Sequence, residues 1–193
     1  MRLAVLCLAA SAVLPSPSRA QGPVFVITQQ GSSIKFFVKA SVALAGSFDK
    51  WDATLTFTSP DVTTGVLDVK IQAASVNTGS GMKDGKLKDK DFFDVKQNPL
   101  ITFLSKKIVQ SGPDTFDVQG DFTIRGVTRP ETLTLTVSGK GTGSGAIKGT
   151  MAFDRKDYGM NSGIPFIRIA DRVEVNVDLS GKRVSGPALT FTQ

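Results

Sequence analysis

Hydrophobic and polar residues alternate along most of the chain after residue 23. From Trp51 to Phe57, apolar side chains at every second position oppose aspartate and threonine, and valines oppose charged or amide residues over 173–179. Successive side chains of a strand point to opposite faces, so this pattern predicts strands with one buried face and one solvent face. Such segments cover residues 24–28, 34–39, 51–58, 66–73, 100–108, 115–125, 133–137, 147–153 and 173–179. The sequence therefore predicts about eight or nine antiparallel strands.

The number of predicted strands bears on the architecture. A sheet of this size in one domain removes its exposed edges by closing on itself. A barrel of about eight strands encloses packed side chains or one small ligand. We therefore predict an all-β fold, an extended antiparallel barrel with one or two short helices. A two-sheet sandwich shows the same alternation and stays open as an alternative.

Three segments depart from the alternation. Residues 41–48 predict a short helix or a turn. Residues 82–98 are charged, enclose two adjacent phenylalanines, and predict a short helix over one end of the sheet. Residues 138–149 are rich in glycine and serine and predict a flexible hairpin loop. The sequence contains no internal repeat and no sign of a second domain.

The first twenty residues have the organisation of a cleavable signal peptide. Arg2 gives a positive start, and residues 3–14 form an apolar run that two prolines end. Ser18 and Ala20 place small residues where a cut after Ala20 requires them. The run is shorter than the ~20 residues that cross a bilayer. We therefore expect a periplasmic or secreted protein whose single mature domain is residues 21–193.

The composition of the mature chain excludes several classes of site. It has no histidine, and the single cysteine lies in the signal segment, so triads, Cys-His pairs, disulfides and imidazole or thiolate metal sites are excluded. Removing Arg2 and Arg19 from 23 basic residues leaves 21 against 17 acidic ones, a net charge of +4. These charges are dispersed, whereas nucleic-acid binding needs a dense basic stripe. We expect no metal, no cofactor and no nucleic-acid partner.

Motifs of catalysis and nucleotide binding are also missing from the sequence. There is no nucleophile elbow, no phosphate loop and no dinucleotide-binding glycine pattern. The acids Asp84, Asp89, Asp91 and Asp94 interleave with lysines and lack calcium-loop spacing, which indicates a solvated charged loop.

Phenylalanine is the prominent residue of this chain. There are 13, against one Trp and one Tyr, and many fall on the inward side of the predicted strands. Each is typical of a core residue, and together they suit an apolar interior with few polar groups. Such a cavity binds by apolar area. Enclosing ~300 Å² of hydrocarbon at ~25 cal/mol per Å² gives roughly 7 kcal/mol before association costs.

Several segments, in this order, resemble the YceI-like family. They are SSIKFFVK at 32–39, GSF at 46–48, AASVNTG at 73–79, the charged block at 83–103, GDFTIRGVT at 120–128 and FDRKDYGM at 153–160. The resemblance covers nearly the whole mature chain. It implies an extended lipocalin-like barrel, usually periplasmic, whose apolar bore holds a long polyisoprenoid. The family is not established as enzymatic.

The resemblance also implies which side chains lie near the bore. Phe92 and Phe93 match the family's paired phenylalanines, and Phe122 and Ile124 match its inward strand. With the alternation, the expected bore residues are Phe36, Val38, Phe48, Trp51, Leu55, Phe92, Phe93, Phe103, Phe122, Ile124, Leu135 and Phe153. Candidates for head-group contact at a barrel mouth are Lys83, Arg125, Arg155 and Tyr158. For the two arginines, a salt bridge that fixes a turn is the alternative.

The chain departs from the family at two positions. Members often carry a histidine after the basic residue of the first strand and another in the charged block, where this chain has Ala40 and Lys86. The identity of the ligand is therefore the part of the resemblance that transfers least.

Three functional hypotheses follow from the sequence. The first is a non-enzymatic carrier or store of a polyisoprenoid or isoprenoid quinone, with transient membrane contact and a homodimer among its expected interactions. The second is a filled barrel whose loops, chiefly residues 82–98, engage a protein or membrane surface in envelope or stress physiology. The third is an enzyme acting on a bound lipid, for which only Asp84, Tyr158 and Arg155 are candidates.

Overall fold

The computed structural model describes residues 22–41, 44–163 and 168–191, so the predicted signal peptide lies outside the described residues. One α-helix, α1, spans Gly81–Lys88, and three 3-10 helices span Val62–Thr64, Ala73–Ser75 and Arg155–Tyr158 in these parts of the chain. The strands found there are β1 (Val24–Ala40), β2 (Leu44–Phe48), β3 (Trp51–Phe57), β4 (Gly65–Gln72), β5 (Val76–Asn77), β6 (Leu100–Gln110), β7 (Thr115–Ile124), β8 (Val127–Val137), β9 (Ser144–Asp154) and β10 (Ile169–Ser185).

The sheet closes on itself. Its strands follow the order β10-β9-β8-β7-β6-β4-β3-β1, and β1 then pairs with β10, while β2 and β5 continue from β1 at one end. Every pairing between these strands is antiparallel. The result is a closed barrel of eight strands, and no sheet edge remains on the ring. The predicted lipocalin-like barrel is confirmed, and the sandwich alternative is not what the chain forms.

The long first strand serves two neighbours in turn. Its start pairs with β3 over Val24–Val26, and its second half pairs with β2 over residues 35–38. On the other side it pairs with β10, with register shifts that include one between Thr28 and Ser33. Gly31 lies within this irregular stretch with φ 78°, a conformation that favours glycine. This irregular stretch lies between the part of β1 that pairs with β3 and the part that pairs with β2.

The core lies inside the ring, as the alternation predicts. On β7, Phe116, Val118, Gly120, Phe122 and Ile124 are buried, and the residues between them are half-buried or exposed. Fully burying one large apolar side chain stabilises a fold by about 1.5–3 kcal/mol, so repeating this on eight strands holds a disulfide-free chain together.

Two sequence predictions were wrong in part. Leu44–Phe48 is a strand and not a helix or turn, because Leu44, Gly46 and Phe48 do point inward and two small residues hide the alternation. The predicted hairpin loop over 138–149 is shorter, since β9 already begins at Ser144. The glycines at 145 and 149 therefore belong to a strand. The predicted helix within residues 82–98 is confirmed by α1.

None of the helices within the described ranges is long and apolar enough to cross a bilayer.

Candidate ligand-binding bore

The barrel interior contains two separate apolar cavities. The first lies beneath α1 and has a volume of about 70 Å³, and we call it the helix-side chamber. The residues that line it are Ile34, Phe36, Val38, Leu44, Phe48, Ile71, Leu87, Phe92, Phe93, Ile101, Phe122, Ile124, Phe153, Arg155, Met160, Ile169, Val173 and Val175. Arg155 is the one charged residue among them, so the wall of this chamber is almost entirely hydrocarbon.

The second cavity lies toward the other end of the barrel and has a volume of about 110 Å³. We call it the loop-side chamber, because residues 138–145 form part of its wall. Its apolar lining comes from Phe25, Leu55, Phe57, Val62, Leu67, Ile108, Phe116, Val118, Leu135, Val137, Ile147, Leu179, Ala188, Leu189 and Phe191. Serine, lysine and arginine side chains contribute its polar lining.

A layer of inward residues separates the two chambers. On β7, Val118 lines the loop-side chamber and Phe122 the helix-side chamber, while Gly120 between them lines neither. The same order repeats on β4, β6, β9 and β10. We call this layer the waist, and it includes Val69, Phe103, Gly120, Leu133, Gly149, Met151 and Val177. From Phe116 to Ile124, eight residue steps at ~3.3 Å span about 26 Å, or roughly 20 Å along the axis at a strand tilt near 40°.

Helix α1 and the residues after it cover the helix-side chamber. Leu87 is the one buried residue of α1, and its carbonyl accepts a hydrogen bond from the Phe93 backbone N–H at 2.9 Å. Phe92 and Phe93 are both buried and both face the chamber. The Phe93 ring packs 5.8 Å from that of Phe48 on β2. This segment therefore forms a lid with an apolar inner face and a charged outer face.

Polar contacts on the outside hold this cover in place. Asp84 accepts hydrogen bonds from the Thr78 backbone N–H at 2.8 Å and from the Thr78 hydroxyl at 2.6 Å. The side-chain bond from Thr78 holds the pKa of Asp84 below its usual value. Lys86 and Asp91 form an ion pair at 2.8 Å, and the bond from Lys86 lowers the pKa of Asp91. These groups fasten α1 and do not point into the bore.

Three aromatic rings pack together at one side of the helix-side chamber. Phe122 on β7 and Phe153 on β9 lie 5.1 Å apart, and the Tyr158 ring meets each of them edge to face. Tyr158 is fully buried, and its hydroxyl donates to Glu131 at 2.9 Å. Burial, followed by the bond to Glu131, raises the pKa of Tyr158 far above its usual value. The hydroxyl is thus satisfied behind the wall, and Tyr158 supports the chamber without lining it.

Arg155 lines the helix-side chamber but is occupied by the protein itself. It is only 6% exposed. Its guanidinium donates to the carbonyls of Ala170 at 3.2 Å, Ser162 at 2.9 Å and Met160, and to Asp171 at 3.1 Å. These bonds join the 3-10 helix after β9 to the start of β10. The side chain therefore closes a gap in the barrel wall. It acts as the salt bridge that fixes a turn, which was the alternative to head-group contact.

The other two head-group candidates lie outside both chambers. Arg125 sits with Gly126 in the two-residue turn between β7 and β8, and both have positive φ, 53° and 73°. That combination is typical of a type I′ hairpin turn. The Arg125 guanidinium donates to the carbonyls of Gly159 and, at 2.9 Å, Lys90. Lys83 is half-buried on α1.

The polar groups near the bore concentrate at the loop-side end. Lys140 forms an ion pair with Asp114 at 2.6 Å, and its ammonium lies 4.9 Å from the centre of the Phe191 ring. The Arg183 guanidinium donates to the Gly186 carbonyl at 3.1 Å. Neither cation was predicted to line a chamber, because Lys140 lies on a loop and Arg183 near the end of a long strand, with no motif around them.

Most of the expected bore residues come together, and a few do not. Those in the helix-side chamber are Phe36, Val38, Phe48, Phe92, Phe93, Phe122, Ile124 and Phe153. Leu55 and Leu135 line the loop-side chamber, Phe103 belongs to the waist, and Trp51 is buried at 4% exposure without lining either cavity. Missed lining residues such as Ile34, Val173 and Phe116 carried the same alternation, so it alone could have found them.

Among the residues that the structure describes, no three Cys, Asp or Glu side chains gather as a metal site. The lining of the helix-side chamber is apolar apart from Arg155, and serine, lysine and arginine side chains contribute to the lining of the loop-side chamber.

A family model and individual bacterial proteins match this sequence. The model of the family described as the YceI-like domain matches residues 25–181. A UPF0312 protein of Pseudomonas savastanoi pv. phaseolicola is 27% identical over 180 residues, which cover 89% of this chain and 94% of that protein. Protein YceI of Escherichia coli O157:H7 is 35% identical over 98 residues, 51% of each chain.

Solved structures share the fold. BcnA of Burkholderia cenocepacia has a TM-score of 0.72 and 26% identity, over 80% of this chain and 98% of BcnA. A structure described as a polyisoprenoid binding domain from Saccharophagus degradans has a TM-score of 0.67 and 18% identity, over 82% of this chain and 98% of that domain.

Proposed function

The chain belongs to the YceI-like family, and from this premise and the apolar bore we propose that it binds one long apolar chain, a polyisoprenoid or isoprenoid quinone, as a non-enzymatic carrier or store. The observation that carries the proposal is the pair of hydrocarbon-lined chambers stacked in one closed barrel. A neighbour of the same fold is described as a polyisoprenoid binding domain, which supports the ligand class.

The lining explains why an isoprenoid suits the bore. A methyl-branched hydrocarbon has no hydrogen-bond acceptors or donors, and the lining of the helix-side chamber is almost entirely apolar. Its binding energy comes from apolar area removed from water, at ~25 cal/mol per Å². A polar substrate would lose its hydrogen bonds with water on entry and find no replacement, at a cost of a few kcal/mol per group.

Extraction of the native protein tests this function. We expect organic extraction followed by mass spectrometry to recover an isoprenoid in near-equimolar amount. A Val175→Phe variant fills the helix-side chamber, since Val175 lines it, and is expected to recover several-fold less. Glu174→Gln, at the next position and exposed on the outer face of β10, serves as the matched control. A native protein that is empty and also fails to take up isoprenoid alcohols or quinones would rule the proposal out.

A filled barrel acting through its surface is the second candidate function. The waist favours it, because a layer of inward side chains lies between the two chambers. In this case the charged cover over residues 81–98 would contact a protein or a membrane surface. Purified protein that stays lipid-free yet sediments with anionic vesicles would support this candidate over the first.

Export to the periplasm is the location we infer for this function. The proposal rests on the signal-like first twenty residues. Amino-terminal sequencing of protein from a periplasmic extract is expected to begin at Gln21. A homodimer is a further expectation, and light scattering of the purified mature protein tests it.

A further inference from the structure

Three glycines on the inner face of the barrel each lie directly opposite a large apolar residue on the neighbouring strand. Gly46 pairs with Phe36, and Gly65 pairs with Phe57. Gly149 pairs with two such residues, Leu135 on β8 and Val177 on β10. A glycine in a strand often marks a close approach of this kind, where a neighbour's side chain covers the bare backbone.

The large side chains lie on these glycines. A Cβ added at position 46 would be 2.7 Å from the Phe36 ring, and one added at 65 would be 2.7 Å from the Phe57 ring. At Gly149 it would be 2.5 Å from Val177, 2.6 Å from Leu135 and 3.2 Å from Leu133. Distances under 3.0 Å leave no room for a side chain unless the neighbour moves.

Gly149 differs from the other two because it lies in the waist. The three side chains that cover it come from β8 and β10, which are hydrogen-bonded to β9 on either side. The strands themselves cannot separate without breaking the barrel ladder. A side chain at position 149 would therefore push Val177, Leu133 and Leu135 toward the barrel axis, where they would narrow the passage between the chambers.

We propose that Gly149 is the residue that sets the length of chain the protein accepts, because it keeps the waist wide enough for one apolar chain to occupy both chambers. This inference rests on the proposed function, and it narrows the ligand class to chains long enough to extend through the waist. A shorter chain fits one chamber and does not depend on Gly149.

Two probes of different length test the proposal on the purified mature protein. Farnesol has three isoprene units and solanesol has nine. We expect Gly149→Ala to bind solanesol at least about tenfold more weakly than the wild type, since excluding ~60 Å² of chain surface has about that effect. Farnesol binding should stay within about twofold. Gly112→Ala is the control, because its Cβ would meet only Thr115, at an ordinary 3.5 Å.

A second-site change separates the waist from a general packing defect. Val177→Ala removes the atom closest to the new Cβ and leaves Leu135 at 2.6 Å, so the double variant Gly149→Ala with Val177→Ala is expected to recover part of the solanesol binding. Should Gly149→Ala not fold, Val177→Leu narrows the same passage from the facing side chain and is expected to discriminate likewise. A folded narrowing variant that binds solanesol as the wild type does would overturn the inference.

The outcomes also separate this inference from the proposed function. A wild type that binds neither probe contradicts both. A wild type that binds both probes, with narrowing variants that lose farnesol and solanesol equally, contradicts the role of Gly149 alone.

Discussion

At the scale of single residues, the polar side chains at the helix-side chamber are bonded to the protein itself. Arg155 gives its donors to three carbonyls and Asp171, and Tyr158 gives its hydroxyl to Glu131. These bonds use four of the five N–H groups of Arg155 and the hydroxyl proton of Tyr158. Two of the three residues named for the enzyme hypothesis therefore have structural partners.

The ionisation of Tyr158 can be predicted and followed by its absorbance. It is the only tyrosine of the chain. Burial raises its pKa, so its stabilising effect is complete below the unfolded-state pKa of ~10 and is lost as the pH rises above that value. We expect no tyrosinate absorbance from the native protein near pH 10–11, and its appearance only on unfolding.

The variant Tyr158→Phe checks the cause of this behaviour. It removes the hydroxyl and its hydrogen bond to Glu131, and we expect it to lower the free energy of unfolding at pH 7 by about 1 kcal/mol. It should also lack the additional loss of stability above pH 10. A native tyrosinate signal with a midpoint near 10 would contradict the structure around this residue.

At the scale of elements, α1 is an eight-residue helix with one buried side chain, and isolated helices this short are unstable in water. What holds it is the barrel beneath Leu87 and the fastening of Asp84 to Thr78. Because α1 buries a single side chain, it is the element expected to open first.

Loss of the Asp84 contacts should loosen this cover. We expect Asp84→Ala to lower stability at pH 7 by about 0.5–1 kcal/mol, a modest value because the carboxylate is partly solvated. Thr78 lowers the pKa of Asp84, so the contribution is present above the unfolded value of ~3.9 and lost as the pH falls through the lower folded value.

Urea unfolding at pH 6 and pH 3 measures the effect of Asp84. The difference between wild type and Asp84→Ala should shrink at pH 3, where the wild-type carboxylate begins to be protonated. Asp52→Ala, on the exposed face of β3, is the control. Equal differences at both pH values would argue against the role given to the carboxylate.

Secondary-structure elements were the feature that the sequence predicted best, and the errors there have identifiable causes. Period-two alternation identified strands such as Trp51–Phe57 correctly, because each has large apolar residues on one face only. It failed at Leu44–Phe48, where Gly46 takes an inward position to make room for Phe36. The waist could not be predicted, since it depends on which strands neighbour each other in the ring. Alternation says which side a residue faces and nothing about its height in the barrel.

At the scale of the whole molecule, the two chambers determine how much stability the proposed ligand would add. The two chambers lack the packing that a filled core would have, and a ligand that binds only the folded state adds RT ln(1 + [L]/Kd) to stability. At a hundredfold excess over Kd this is about 2.7 kcal/mol, or roughly 5–10 °C in Tm for a domain of this size.

Thermal unfolding before and after delipidation measures this reserve. We expect the extracted protein to melt about 5–10 °C below the reloaded protein, with both forms giving the same far-ultraviolet circular dichroism. An unchanged Tm despite a bound isoprenoid, verified by mass spectrometry, would mean that the lipid lies outside the bore.

The closing contact between β1 and β10 has a consequence for synthesis. These strands are the first and the last of the described ring, so Phe36 meets Val175 only after nearly the whole chain has been made. Pairing of such distant segments is slow compared with local structure formation. The growing chain therefore cannot enclose a lipid during translation. On the proposed function, uptake of the lipid therefore follows synthesis, and the lipids that surround the finished chain limit what it can hold.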